Sequence, residues 1–169
     1  MNISRSIVPS GLVIIAMLSA FAAEIEPGKG DLLALQGEWT MVSGSADGQA
    51  MPEAMVKEMK RVCKDDETTT TMAGRVYMKA KFILDASKKP KTIDYQMIEG
   101  FTKGEKQLGI YEIEGDTFKV CFGRPGAGRP TDFTSTPGDG HTLSVWSGRS
   151  SRPKPTRSES IGVAAPAAQ

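Results

Sequence analysis

The chain has 169 residues, of which 39% are apolar and 24% charged, with a formal net charge of +1. That length fits one domain with appendages, and the apolar share is too low for a membrane bundle. A near-neutral balance excludes strong electrostatic attraction to nucleic acid or to an anionic membrane surface.

In chain order, residues 1–23 read as a signal peptide. Arg5 supplies the positive start, Leu12 to Phe21 is apolar, and Ala20-Phe21-Ala22 fits a small-x-small cleavage site. The apolar run is short of the roughly 20 residues that span a bilayer, so no stable membrane span is expected after cleavage. An exported location, periplasmic or extracellular, follows. Residues 24–31, with Pro27, Gly28 and Gly30, read as a linker.

The domain is expected over residues 32–148. Leu32 to Leu35 suggests one helical turn closing an end of the fold, and Gly37 to Ser43 a first strand with Trp39 and Met41 on one face. Asp47-Gly48 marks a turn. Pro52 opens a short helix, and Met51, Met55 and Met59 recur at helical spacing as its packed face. Strands are predicted over Arg61 to Lys64, Thr68 to Met72, Val76 to Leu84 and Thr92 to Ile98. Gln107 to Glu114 and Thr117 to Phe122 form the clearest hairpin, around Gly115. Phe118, Val120 and Phe122 share one face of it; Cys121 lies on the other. A Gly/Pro loop leads to a predicted strand over Thr131 to Ser135, and Thr142 to Trp146 is the last. Residues 149–169, rich in Arg, Ser, Pro and Ala, lack core-forming side chains and read as a disordered basic tail. The sum is an all-β fold, an antiparallel barrel of eight to nine strands with one short helix after the first strand.

Catalytic patterns are weak. His141 is the single histidine; no H-E-x-x-H, no C-x-x-C and no G-x-S-x-G is present. No metal site and no cofactor are expected. Cys121 and His141 could form a thiol–imidazole pair, but they lie about 20 residues apart on different predicted strands and nothing in the sequence supports their proximity. Arg124 and Arg129, in Gly123-Arg124-Pro125-Gly126-Ala127-Gly128-Arg129, are candidates for contact with an anion, because guanidinium matches carboxylate and phosphate in bidentate fashion. Cys63 and Cys121 permit one disulfide in an oxidising compartment, subject to geometry.

Several segments together resemble an uncharacterised domain family found mostly in exported or multidomain proteins of planctomycete bacteria and described as lipocalin-like. They are Leu35-Gln36-Gly37-Glu38-Trp39, Asp47-Gly48, Ser87-Lys88-Lys89-Pro90-Lys91-Thr92-Ile93-Asp94, Gly109-Ile110-Tyr111-Glu112, Gly115-Asp116, Lys119-Val120-Cys121-Phe122 and Arg129-Pro130-Thr131-Asp132-Phe133. Arg61 to Met72 is more polar than that family's pattern. The resemblance implies a lipocalin-like barrel but brings no established activity. Gly37-Glu38-Trp39 also matches the G-x-W signature of lipocalins, which implies a barrel floor of Trp39 stacked by a late arginine, here Arg149.

Function is therefore expected in the barrel interior and without catalysis. Trp39, Met41, Tyr95, Tyr111, Phe118 and Phe122 are the candidate lining residues for a small apolar or amphipathic ligand. Tyr95 and Tyr111 would offer hydroxyls to its polar end. Eight strands allow either such a cavity or an interior filled by side chains. The alternative is a filled barrel acting as a protein–protein or cell-envelope interaction module with an exported partner. A monomer without nucleic-acid contacts is expected on either reading.

Overall fold

The computed structural model describes residues 28–150, and of residues 149 and 150 the backbone alone. The signal segment and the tail beyond Ser150 lie outside the described residues.

Among the described residues nine antiparallel strands make one sheet: β1 (Gly37–Ala46), β2 (Gln49–Ala50), β3 (Met59–Lys64), β4 (Glu67–Met72), β5 (Arg75–Asp85), β6 (Lys91–Gly100), β7 (Lys106–Glu114), β8 (Thr117–Phe122) and β9 (Thr142–Ser150). Each strand from β3 to β8 pairs with the next, β1 pairs with β3, and β1 also pairs with β9 from Gly37–Ser150 to Ala46–Thr142. That last pairing closes an eight-stranded barrel, with β2 as an extra strand on β1. Two short helices stand at opposite ends: α1 (Lys29–Leu35) precedes β1, and α2 (Glu53–Glu58) joins β2 to β3.

Local chemistry sets the tight turns. Residues 47–48, 65–66, 73–74 and 115–116 are two-residue connections between paired strands. At Asp47-Gly48 both residues have positive φ, 52° and 78°, the pairing that suits the right-handed twist of a hairpin. A side chain at Gly48 would also collide with Pro137.

Alternation inside the closed sheet builds the core. Leu35, Trp39, Ile93, Tyr111, Phe118 and Val120 are almost fully buried around the α1 end. The Trp39 and Phe118 rings lie 5.8 Å apart, and the Trp39 indole donates to the Leu35 carbonyl at 2.8 Å. A β-carbon on Gly148 would stand 2.5 Å from the Trp39 ring, so the absence of a side chain there lets β9 pass over the indole. Asp31 fixes α1 to the barrel by accepting from Lys91 Nζ and from the Tyr111 hydroxyl, each at 2.7 Å. Lys29 to Asp31 thus belong to the end-closing helix and not to a linker.

One predicted strand is absent. Residues 123–141 form a long loop over the outer face of β7 and β8, and Thr131 to Ser135 pair with no strand. Side-chain bonds hold the loop instead: the Asp47 carboxylate accepts from the Gly138 and Gly140 amides, and Ser135 accepts from the Gly48 amide. Among the described residues no helix is long and apolar enough to cross a membrane.

Truncation separates core from rim. Phe118→Ala is expected to cost about 3–5 kcal/mol, the usual range for a buried phenylalanine. Phe101, 98% exposed on the β6–β7 turn, should tolerate Phe101→Ala within about 0.5 kcal/mol. Urea denaturation followed by circular dichroism measures both, and equal losses would contradict the packing described.

Candidate functional site

The barrel is solid at the α1 end and hollow at the other. A cavity of about 210 Å³ opens at the mouth beneath α2. That is small beside the roughly 300–1,000 Å³ of most ligand pockets. Six of the nine methionines line it: Met41, Met51, Met55, Met59, Met78 and Met97. Tyr95, Phe122 and Trp146 supply aromatic walls, and Arg61, Thr70, Gln107, Thr142 and Ser144 supply polar atoms. Methionine is unbranched and polarizable, so such a wall adapts its shape cheaply. Tyr77 and Phe101 stand at the exposed rim.

The expected lining set divides between the two halves. Met41, Tyr95 and Phe122 face the cavity, with the Tyr95 and Phe122 rings 4.3 Å apart. Trp39, Tyr111 and Phe118 lie outside its wall, in the packed end. Tyr111 offers no hydroxyl to a ligand, because it donates its hydrogen bond to Asp31. Burial, and then the adjacent Asp31 carboxylate, push its pKa well above the ordinary phenol value.

The residue that sequence reasoning missed is Arg61. Strand β3 alternates Met59, Arg61 and Cys63 inward against Lys60, Val62 and Lys64 outward, which carries a guanidinium into the interior. The Arg61 side chain donates from Nη1 to the Tyr95 hydroxyl at 3.1 Å. Its charged carbon lies 4.3 Å from the Trp146 ring centre and 5.3 Å from that of Phe118. Arg61, on β3, is thus a stacking arginine for Trp146 and Phe118, a contact distinct from the one expected of Arg149 on Trp39. The Arg149 backbone pairs with Glu38, and its side chain lies outside the described residues.

No ion pair among the described residues includes Arg61. Two neighbours could ionise, and both are held neutral. Burial pushes Tyr95 up to about 12 against the opposing pull of Arg61, and burial likewise raises Cys63. Cation–π contact contributes about 0.5–2 kcal/mol. Burying a guanidinium without a counter-charge costs several kcal/mol, so the aromatic contacts offset only part of it.

The remaining candidates are committed elsewhere. Arg124 pairs with Asp47 at 3.3 Å, whereas Arg129 pairs with Asp94 at 2.6 Å and donates to the Gly109 carbonyl at 2.6 Å. The two arginines thus grip separate carboxylates and do not form a joint anion clasp. In a shallow groove of about 720 Å³ beside Arg129, Lys88 likewise pairs with Asp85, at 4.0 Å. Cys63 and Cys121 are free thiols, not a disulfide. Cys63 faces inward and donates to Thr68, whereas Cys121 lies on the outer side of β8 and donates to the Thr134 carbonyl. The barrel wall separates them. The His141 ring faces Asp139 at 3.4 Å, and the Cys121 thiol is pushed up to about 11 by burial and then by Asp139 and Asp132. That leaves the thiol protonated near neutral pH and poorly nucleophilic.

Comparison with known proteins finds no matching family model, no matching curated protein and no matching solved structure.

Alkylation tests the thiol assignment. The native protein should react slowly with iodoacetamide near neutral pH, and urea-unfolded protein should take up two labels without prior reduction. Both thiols hold their protons more tightly folded than unfolded. The stability they contribute is therefore complete below about pH 9 and is lost as pH rises towards about 11 for Cys121. The urea midpoint should fall across that interval, with a shallower slope in Cys121→Ser.

Proposed function

We propose that this is an exported, non-catalytic domain of lipocalin-like type that binds a small apolar or amphipathic molecule in the barrel mouth. The observation that carries this reading is the methionine-lined cavity itself. A protein that needed only a solid core could have filled the mouth as it fills the α1 end, where Trp39 and Phe118 leave no such space. The resemblance in sequence to exported lipocalin-like domains and the signal-like first 23 residues support the compartment. The size of the cavity favours a short chain or a single ring over a sterol or a long lipid.

Burial of apolar surface sets the expected affinity trend. Each methylene placed in the cavity contributes about 0.8 kcal/mol, close to a fourfold change in Kd. Straight-chain alcohols titrated into protein labelled with 13C-methyl methionine should shift the Met59, Met78 and Met97 resonances and tighten by about that factor per carbon until the space is full. Met97→Phe, which fills the wall at an overpacking cost of about 1–3 kcal/mol, should abolish the trend. Native mass spectrometry of the purified protein should show a co-purifying small molecule. Methionine signals that ignore every alcohol and acid tested would reject the reading.

A further inference from the structure

The cavity floor holds more unmet polar capacity than a neutral guest would need. Arg61 is 5% exposed and Thr70 is 2% exposed, and both line the cavity. Neither Arg61 Nε nor Thr70 Oγ1 has a hydrogen-bond partner among the described residues. A guanidinium carries five N–H donors, and the bond Arg61 makes is the one from Nη1 to Tyr95. Strands β3 and β4 pair Arg61 directly with Thr70, so the two stand side by side on the inner wall. Buried polar atoms are normally satisfied, and buried charges normally have an opposite charge beside them. Here no carboxylate among the described residues pairs with the arginine, and its phenol and thiol neighbours are neutral.

We infer that the molecule bound in the barrel carries a single carboxylate, received at the cavity floor by Arg61 with the Thr70 and Tyr95 hydroxyls beside it. This rests on the ligand-binding reading above and names the ligand's polar end. One guanidinium balances one negative charge, and its planar fork matches a carboxylate. The methionine and aromatic walls give no second cation, so a doubly charged phosphate would carry uncompensated charge into an apolar space. The rest of the ligand is an apolar tail pointing towards α2 and the rim. A medium-chain carboxylate has both features at about the size of the cavity.

Octanoate and octanol are the matched probes, read by calorimetry and by the 13C-methyl methionine spectrum. Octanoate should bind wild-type protein at one site at least tenfold more tightly than octanol. In Arg61→Met, where a similar volume without charge occupies the floor, octanol should bind as well as or better than in wild type, and the preference for octanoate should vanish. Thr70→Val and Tyr95→Phe leave the charge in place. Each should weaken octanoate several-fold and leave octanol within twofold; they carry the test if Arg61→Met fails to fold. Equal binding of the two probes to wild type, or an octanoate preference that survives in all the variants, would overturn the carboxylate assignment and leave the cavity reading standing. Failure of both probes to shift any methionine signal would overturn the cavity reading as well.

Discussion

The pairing of β1 with β9 is the constraint from which the interior follows. Once the sheet is closed, a period of two residues along every strand becomes a division between inside and outside, with no face left ambiguous. Trp39, Met41, Phe118, Val120 and Trp146 converge because the register matches Met41 with Trp146 and Phe118 with Trp146 across neighbouring strands. The same rule draws in side chains that apolar preference alone would keep out. Arg61, Thr68 and Thr70 face inward because they occupy inward positions on β3 and β4, and these two strands give the barrel its polar interior patch.

The two ends are held by different physics. At the α1 end, large rings interlock and Asp31 joins the helix to β6 and β7 through Lys91 and Tyr111. At the other end, α2 has six residues, no fully buried side chain and no side-chain cap. So short a helix has little intrinsic stability, and its place over the mouth depends on the packing of Met51, Met55 and Val56 against the core. Rigidity is thus concentrated at the floor and adaptable packing at the opening.

Much of this was legible in the residues. Asp47-Gly48 and Gly115-Asp116 between alternating strands carry their own turn chemistry, and the inward positions of Trp39, Phe118 and Phe122 follow from alternation alone. The strand expected over Thr131 to Ser135 failed for a reason no local pattern contains. Its Thr-Asp-Phe-Thr composition suits a strand, but Ser135 bonds instead to the Gly48 amide and the His141 carbonyl, and the Thr134 carbonyl accepts from Cys121. Tyr111 looked like a ligand contact because its partner Asp31 is 80 residues away. Arg61 was visible in principle. The alternation Met59, Arg61, Cys63 places an arginine in register with two core residues, and Thr68 and Thr70 repeat the pattern on the next strand. The polarity of that segment looked like a departure from an apolar barrel; it is the distinctive part of the cavity floor.

The joint between β1 and β9 also orders events in time. Its partners are separated by roughly the whole folded chain, from Gly37 with Ser150 to Ala46 with Thr142. A ribosome must therefore deliver the final strand before the first can find its second neighbour. Until then the nascent sheet is an open ribbon with bare margins along β1 and β8, the kind of surface that recruits other extended chains. Contacts this remote in sequence also slow the search for the native topology. A molecule built this way spends the interval between synthesis and closure at its most vulnerable to misassembly, and a product released one strand short would never leave that state.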